Sequence, residues 1–136
     1  MMLKEEGYRL MGAAFEVYNE LGYGMAEEIY QQSLEIELAT REIPFATKQE
    51  LPVFYKGQRL ATWYQPDLLV FGALVVELKA VAELASEHEA QLFNYMRVSR
   101  RPVGYVINFG HKGELQWKRF VLFDLHVPRE SADAEH

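Results

Sequence analysis

Two carboxylates and an amine follow one another in this sequence in an order that could hold a divalent cation. Asp67 follows Pro66 where a polar stretch gives way to Leu68-Leu69-Val70-Phe71, and Glu77 and Lys79 lie in the next apolar run, Leu74 to Val81. Nine residues separate Asp67 from Glu77, room for a turn at Phe71-Gly72 and a return on a neighbouring strand, so that the carboxylates could face each other across a hairpin. Residues two apart in a strand share a face, so Glu77 and Lys79 point one way and Val76, Leu78 and Ala80 the other. Paired carboxylates in a partly buried place resist joint ionisation unless a positive charge lies between them. A hard cation such as Mg²⁺ supplies that charge through oxygen ligands and retained waters. Lys79 beside it could orient or deprotonate an attacking water, or meet charge growing on a phosphate. Taken alone, Glu-x-Lys is commonly the solvated face of a strand and Pro-Asp commonly a turn. Their succession on adjacent apolar strands is what singles them out.

A helix after these strands carries further polar side chains. Ser86 serves as N-cap and Glu89 completes a capping box for a helix running to about Ser99. His88, Gln91 and Tyr95 are three and four residues apart and share a face, bordered by Leu92 and Met96. Gln91 and Tyr95 offer hydrogen bonds to a phosphate, a base edge or Lys79. The same spacing also suits a helix that packs Tyr and Leu into a core with His and Gln at its rim.

The elements that must position these residues follow from periodicity. Leu10, Ala13, Ala14, Val17, Tyr18 and Leu21 form the stripe of an amphipathic helix over residues 5–21, stopped at Gly22-Tyr23-Gly24. A second helix follows from Met25 to about Thr40, with Ile29, Tyr30, Leu34, Ile36 and Leu38 apolar, and the pair makes a helical hairpin. After Ile43-Pro44 come three strand-like runs, Phe45–Tyr55, Gln58–Phe71 and Leu74–Val81, turning at Lys56-Gly57 and Phe71-Gly72 as an antiparallel meander. The helix at Ser86–Ser99 is followed by strands at Val103–Phe109 and Glu114–Phe123. The expected organisation is one α/β domain over residues 1–127 and a loose tail over 128–136.

Composition narrows the functions. The 136 residues are 49% hydrophobic and 25% charged, ordinary for a globular protein. With no cysteine, disulfides, thiolate metal sites and cysteine nucleophiles are excluded. Acidic residues near the start and a longest apolar run of nine residues, Leu68 to Val76, fit neither a signal peptide nor a membrane span, and we expect a cytoplasmic protein. The net charge of -6 argues against tight unspecific binding to a phosphate backbone, although carboxylates that hold a metal add negative charge without forbidding nucleic-acid chemistry.

Asp67, Glu77-Leu78-Lys79 and Gln91-x-x-x-Tyr95, in this order, resemble the PD-(D/E)xK nuclease superfamily, in particular the branch with a QxxxY helix that includes RecB-type and phage exonucleases. Gly24-Met25-Ala26-Glu27-Glu28-Ile29-Tyr30 resembles the signature of the small GxxExxY proteins. The likeness continues through Glu16 to Gly22, Tyr55-Lys56-Gly57 and Val106-Ile107-Asn108-Phe109-Gly110, and extends from Gly12 to about Phe120. It implies a restriction-endonuclease-like core and a nuclease using Mg²⁺ or Mn²⁺ on nucleic acid, DNA foremost. It further implies Asp67 and Glu77 as metal ligands with the Leu78 carbonyl as a further one, Lys79 as the catalytic lysine, Glu27 as an additional acidic ligand, and Gln91 and Tyr95 as substrate-positioning groups. His88 stands where related enzymes recruit an extra metal ligand, and small members of this fold often form homodimers. Gly22 and Gly24 also suit a plain helix-helix turn with Tyr30 in the core. Arg97, Arg100, Arg101, Lys112, Lys118 and Arg119 are either phosphate contacts or solvated surface, and Trp63, Tyr64 and Trp117 either stack on bases or fill the core. A non-catalytic module binding nucleic acid or protein, or a hydrolase of a small phosphate compound, are the competing functions.

Overall fold

The stripe through Leu10, Ala13, Ala14 and Val17 is the buried face of helix α1, Lys4–Leu21, in a computed structural model that describes residues 2–122. Gly22 and Gly24 have φ of 73° and 101°, left-handed values that glycine adopts without a Cβ clash. They turn the chain into α2, Glu27–Thr40. Tyr30 secures the turn: its hydroxyl donates to the Gly22 carbonyl at 2.6 Å and accepts from the Met25 amide at 3.2 Å. Its buried ring stacks on Phe109 at 4.8 Å. Tyr30, Leu34 and Leu38 are buried on α2, but Ile29 and Ile36 are exposed, because the helix turns Gln31 inward in their stead.

Each of the first two expected strands divides in two. The run from Phe45 forms β1 (Phe45–Thr47) and β2 (Leu51–Tyr55), broken at Lys48, whose φ is 50°. The next forms β3 (Gln58–Tyr64) and β4 (Leu68–Val70), broken at Gln65-Pro66, where proline has no amide to donate to a ladder. β2 and β3 leave the main sheet as a hairpin around Lys56 and Gly57, whose φ values of 49° and 80° suit a tight hairpin turn. The three-stranded antiparallel set is therefore β1, β4 and β5 (Leu74–Lys79), with β2 and β3 as an excursion from it.

Helix α3 (Ser86–Ser99) crosses over to β6 (Val103–Asn108), which pairs parallel with β5, and β7 (Gln116–Val121) closes the sheet antiparallel in the order β1-β4-β5-β6-β7. α1 and α2 cover one face, packing Leu10, Tyr30 and Leu34 with Leu74, Val76, Leu78 and Ile107. On the other face Leu92 and Met96 of α3 and Leu51, Val53 and Tyr64 of the hairpin pack with Leu69, Val75 and Val106. Each such buried side chain contributes about 1.5–3 kcal/mol of transfer free energy. Glu77 and Lys79 belong to this second face by strand alternation.

The expected Ser86–Glu89 capping box does not form. The helix begins one residue earlier, with Ala85 as N-cap, and the His88 Nδ1 accepts the Ala85 amide at 3.2 Å while Glu89 pairs with Lys118 at 3.5 Å. No helix among the described residues is long and apolar enough to cross a membrane. The tail at 128–136 and the end of the last expected strand at Phe123 lie outside the described residues.

Candidate active site

The hairpin of β4 and β5 sets the acidic pair. Leu68 is opposite Val76, so Asp67, one residue earlier, comes opposite Glu77, and its Oδ2 accepts the Leu78 amide at 2.7 Å. The two carboxyl groups adjoin. Loss of solvent is the main influence on Glu77; Asp67 adds repulsion, a hydrogen bond from Tyr64 pulls the other way, and the net effect lifts its pKa from 4.5 to about 8. The Tyr64 phenol, pushed well above its ordinary range by burial and by Glu77, stays a donor.

Around Asp67 the chain adds three side chains from other elements. Lys48 Nζ lies 3.0 Å from Asp67 Oδ1. Gln31, buried on α2, donates to the Asp67 carbonyl at 3.0 Å and to Glu35 at 2.9 Å. Glu27, exposed in the first turn of α2, has its pKa raised by partial loss of solvent and then by Asp67, while Lys79 and Lys48 pull it down. The latch from Tyr30 to Gly22 and Met25 fixes where α2 begins, and so where Glu27 stands.

Glu77 and Lys79 line a cavity of about 230 Å³ together with His88, Gln91 and Tyr95 of α3 and Trp63, Tyr64 and Gln65. The face His88-Gln91-Tyr95 is thus turned to the same space as the Glu-x-Lys triplet. Asp67 and Glu27 are not among its lining and join the group through Glu77 and the two lysines. Tyr95 stacks on Tyr64 at 4.4 Å and 7°, and His88 Nδ1 is engaged by the helix cap, leaving Nε2 as the nitrogen that could bind a ligand.

Among the described residues no three His, Asp or Glu side chains converge as a ready cage for a metal ion. Mg²⁺ rarely needs one, taking one or two carboxylates and completing its shell with water and substrate phosphate. Asp67 and Glu77 fit that sparse set: two adjoining carboxyls, one pushed towards its protonated form by burial and its neighbour, are relieved by a cation between them.

A second device positions α3. Buried Asn108 accepts from the amides of Val81 and Gly110 at 2.9 and 3.1 Å and donates to the Val81 carbonyl and Gln116 Oε1, both at 2.9 Å. Gly110 packs so tightly that a Cβ would lie 2.5 Å from the Ala80 and Val81 backbone. Asn108-Phe109-Gly110 therefore pins the connection from Lys79 to α3.

Four of the late basic residues have partners within the chain. Arg119 binds the Tyr105 hydroxyl at 2.6 Å, Arg97 binds Asn94 at 2.9 Å, Arg100 lies over Phe54 and Lys118 pairs with Glu89. Of the aromatic residues, Trp63 is half exposed at the cavity, whereas Tyr64 is buried and committed to Glu77. Trp117 stacks near Tyr105 and lines a separate groove beside α1. Sequence reasoning missed Lys48 and Gln31; a glutamine beside Tyr30 and Leu34 on the stripe of α2 was the available signal for Gln31. Tyr64 is in the core, as one of its two readings had it, but its bond to Glu77 was not foreseen.

Fold and site together define a nuclease-like α/β domain. The chain belongs to the PD-(D/E)XK nuclease superfamily, which it matches over residues 4–120. Among solved structures it is similar to the crystal structure of SSO0001, with a TM-score of 0.54 and 16% identity over 79% of this chain, a likeness of fold. The chain spans 56% of the length of that protein. No curated protein matches it.

Proposed function

We propose that this protein hydrolyses phosphodiester bonds in nucleic acid, DNA in particular, with Mg²⁺ or Mn²⁺ held by Asp67 and Glu77. The observation that carries the reading is the adjoining acidic pair on β4 and β5, with Lys79 on the same strand face as Glu77. A divalent cation held there supplies charge neutralisation at the phosphate and acidifies water nearby. Lys79 holds the attacking water or meets the negative charge on the non-bridging oxygen with its ammonium. Glu27 is close enough to Asp67 to feel its charge and serves as a further acidic ligand, and His88 Nε2 is available as another. Gln91 donates its amide to the phosphate, and Tyr95 positions substrate at the cavity and steadies Tyr64, which aims Glu77.

We place the chain with the GxxExxY proteins and the QxxxY helix branch. Gly24 and Tyr30 shape the turn that presents Glu27, and Gln91 and Tyr95 share the cavity with Lys79, which supports that placement. With a net charge of -6, binding rests on few phosphate contacts, consistent with a cytoplasmic enzyme that grips its substrate locally or acts as a pair of copies on a duplex.

Incubation with single- and double-stranded DNA and RNA in Mn²⁺, beside Lys79→Ala, tests this. Cleavage falling at least about a hundredfold in the variant is expected, and equal cleavage contradicts it. A non-catalytic binding module draws on one observation, the pairing of Asp67 with Lys48 within the chain. It predicts neither cleavage nor Mn²⁺ binding in calorimetry.

A further inference from the structure

Both oxygens of Asp67 have partners within the chain. Oδ2 takes the Leu78 amide at 2.7 Å and Oδ1 takes Lys48 Nζ at 3.0 Å. The Lys48 partner is held in place by its own backbone. Its backbone sits at φ 50°, a left-handed conformation that non-glycine residues rarely adopt. It is held there from both sides: the Lys48 amide donates to the Asp67 carbonyl at 3.3 Å, and Gln65 Nε2 donates to the Lys48 carbonyl at 2.9 Å. The break between β1 and β2 thus carries an ammonium to the carboxylate at the start of β4.

The two ends of the pair differ in freedom. The Asp67 side chain is 16% exposed and fixed by the Leu78 amide, whereas that of Lys48 is 54% exposed on a flexible four-carbon stem. An ion pair with one exposed end is weak, so the lysine can leave at little cost. The carboxylate cannot follow it.

We propose that Lys48 is a placeholder for the divalent cation: its ammonium neutralises Asp67 in the metal-free protein and must leave Oδ1 for a metal to bind there. This rests on Asp67 being a metal ligand. Removing the lysine charge takes away both a competitor and a repulsive neighbour, so metal binding strengthens while Asp67 stays in place.

Calorimetric titration with Mn²⁺ alone, without nucleic acid, tests it on the wild-type chain, Lys48→Met, Lys48→Arg and Asp67→Asn. Lys48→Met is expected to bind about fivefold more tightly than wild type and Lys48→Arg close to wild type. Equal or weaker binding by a folded Lys48→Met overturns the proposal. Asp67→Asn separates the two claims: binding lost there while Lys48→Met is unchanged sinks only the placeholder, whereas binding retained in Asp67→Asn sinks the ligand assignment beneath it. A measurement on the wild-type chain needs no variant to fold. The Lys48 side-chain amine resonance is expected to move towards that of a solvated lysine as Mg²⁺ saturates the protein, and a resonance that does not move overturns the proposal.

Discussion

The Tyr64 hydroxyl donates to Glu77 while its ring lies 4.4 Å from that of Tyr95 and 7° from parallel. The helix residue Tyr95 therefore reaches the acidic pair through a second tyrosine. Because the hydrogen bond favours ionised Glu77, Tyr64→Phe raises the Glu77 pKa further. Because the metal needs ionised Glu77, Mn²⁺ affinity of the variant near pH 7 should be lower by about tenfold, with the gap closing at higher pH. Calorimetric titration with Mn²⁺ across pH measures this; superimposable affinities contradict the assignment.

Glu77 also sets how metal-free stability depends on pH. Below 4.5 both folded and unfolded chains hold its proton; between 4.5 and about 8 only the folded chain does. The folded state then binds more protons, so stability contributed by this group falls as pH rises through that window and is gone above it. Thermal unfolding in EDTA should show Tm falling between pH 5 and 8.5 by several degrees more in wild type than in Glu77→Gln. The substitution should stabilise the metal-free chain at pH 8.5 while removing Mn²⁺ binding, the trade expected of a strained functional group.

Gly110 and Gly24 separate close packing from backbone conformation. Alanine at 110 places a Cβ 2.5 Å from the Ala80 and Val81 backbone, and neither can yield without moving the link to α3. Gly110→Ala should cost about 2–3 kcal/mol in urea denaturation. At Gly24, where φ is 101° and nothing lies within 4 Å, only the backbone resists, and Gly24→Ala should cost about 1 kcal/mol.

Gln31 ties α2 to the acidic strand through the Asp67 carbonyl. Gln31→Leu leaves that carbonyl without this donor and should destabilise the chain by about 1–2 kcal/mol. If its place is to hold the Asp67 turn, Mn²⁺ affinity should weaken as well, which calorimetry can read. Unchanged affinity in a folded variant limits Gln31 to stability.

The helices and the extended runs could be read from the sequence because strand and helix periods are local, though not the division of two runs into four strands, and the nine residues between Asp67 and Glu77 leave room for the hairpin that forms. The spacing of His88, Gln91 and Tyr95 likewise turned one helix face to the cavity. What escaped is long-range. Lys48 meets Asp67 across nineteen positions only because the chain bends at a left-handed lysine and β2 and β3 leave the sheet. Tyr64 read as a strand aromatic, since the hydrogen bond to Glu77 depends on that same excursion. Ser86 and Glu89 matched a local motif, but Glu89 was drawn to Lys118 on β7 and His88 supplied the cap.

A crystal of the protein soaked in Mn²⁺ and measured for anomalous scattering tests the central claim most directly. A single strong peak within about 2.0–2.6 Å of carboxylate oxygens of both Asp67 and Glu77 is the predicted result. A saturated soak with no peak at that pair, or with Mn²⁺ held elsewhere on the chain, contradicts it.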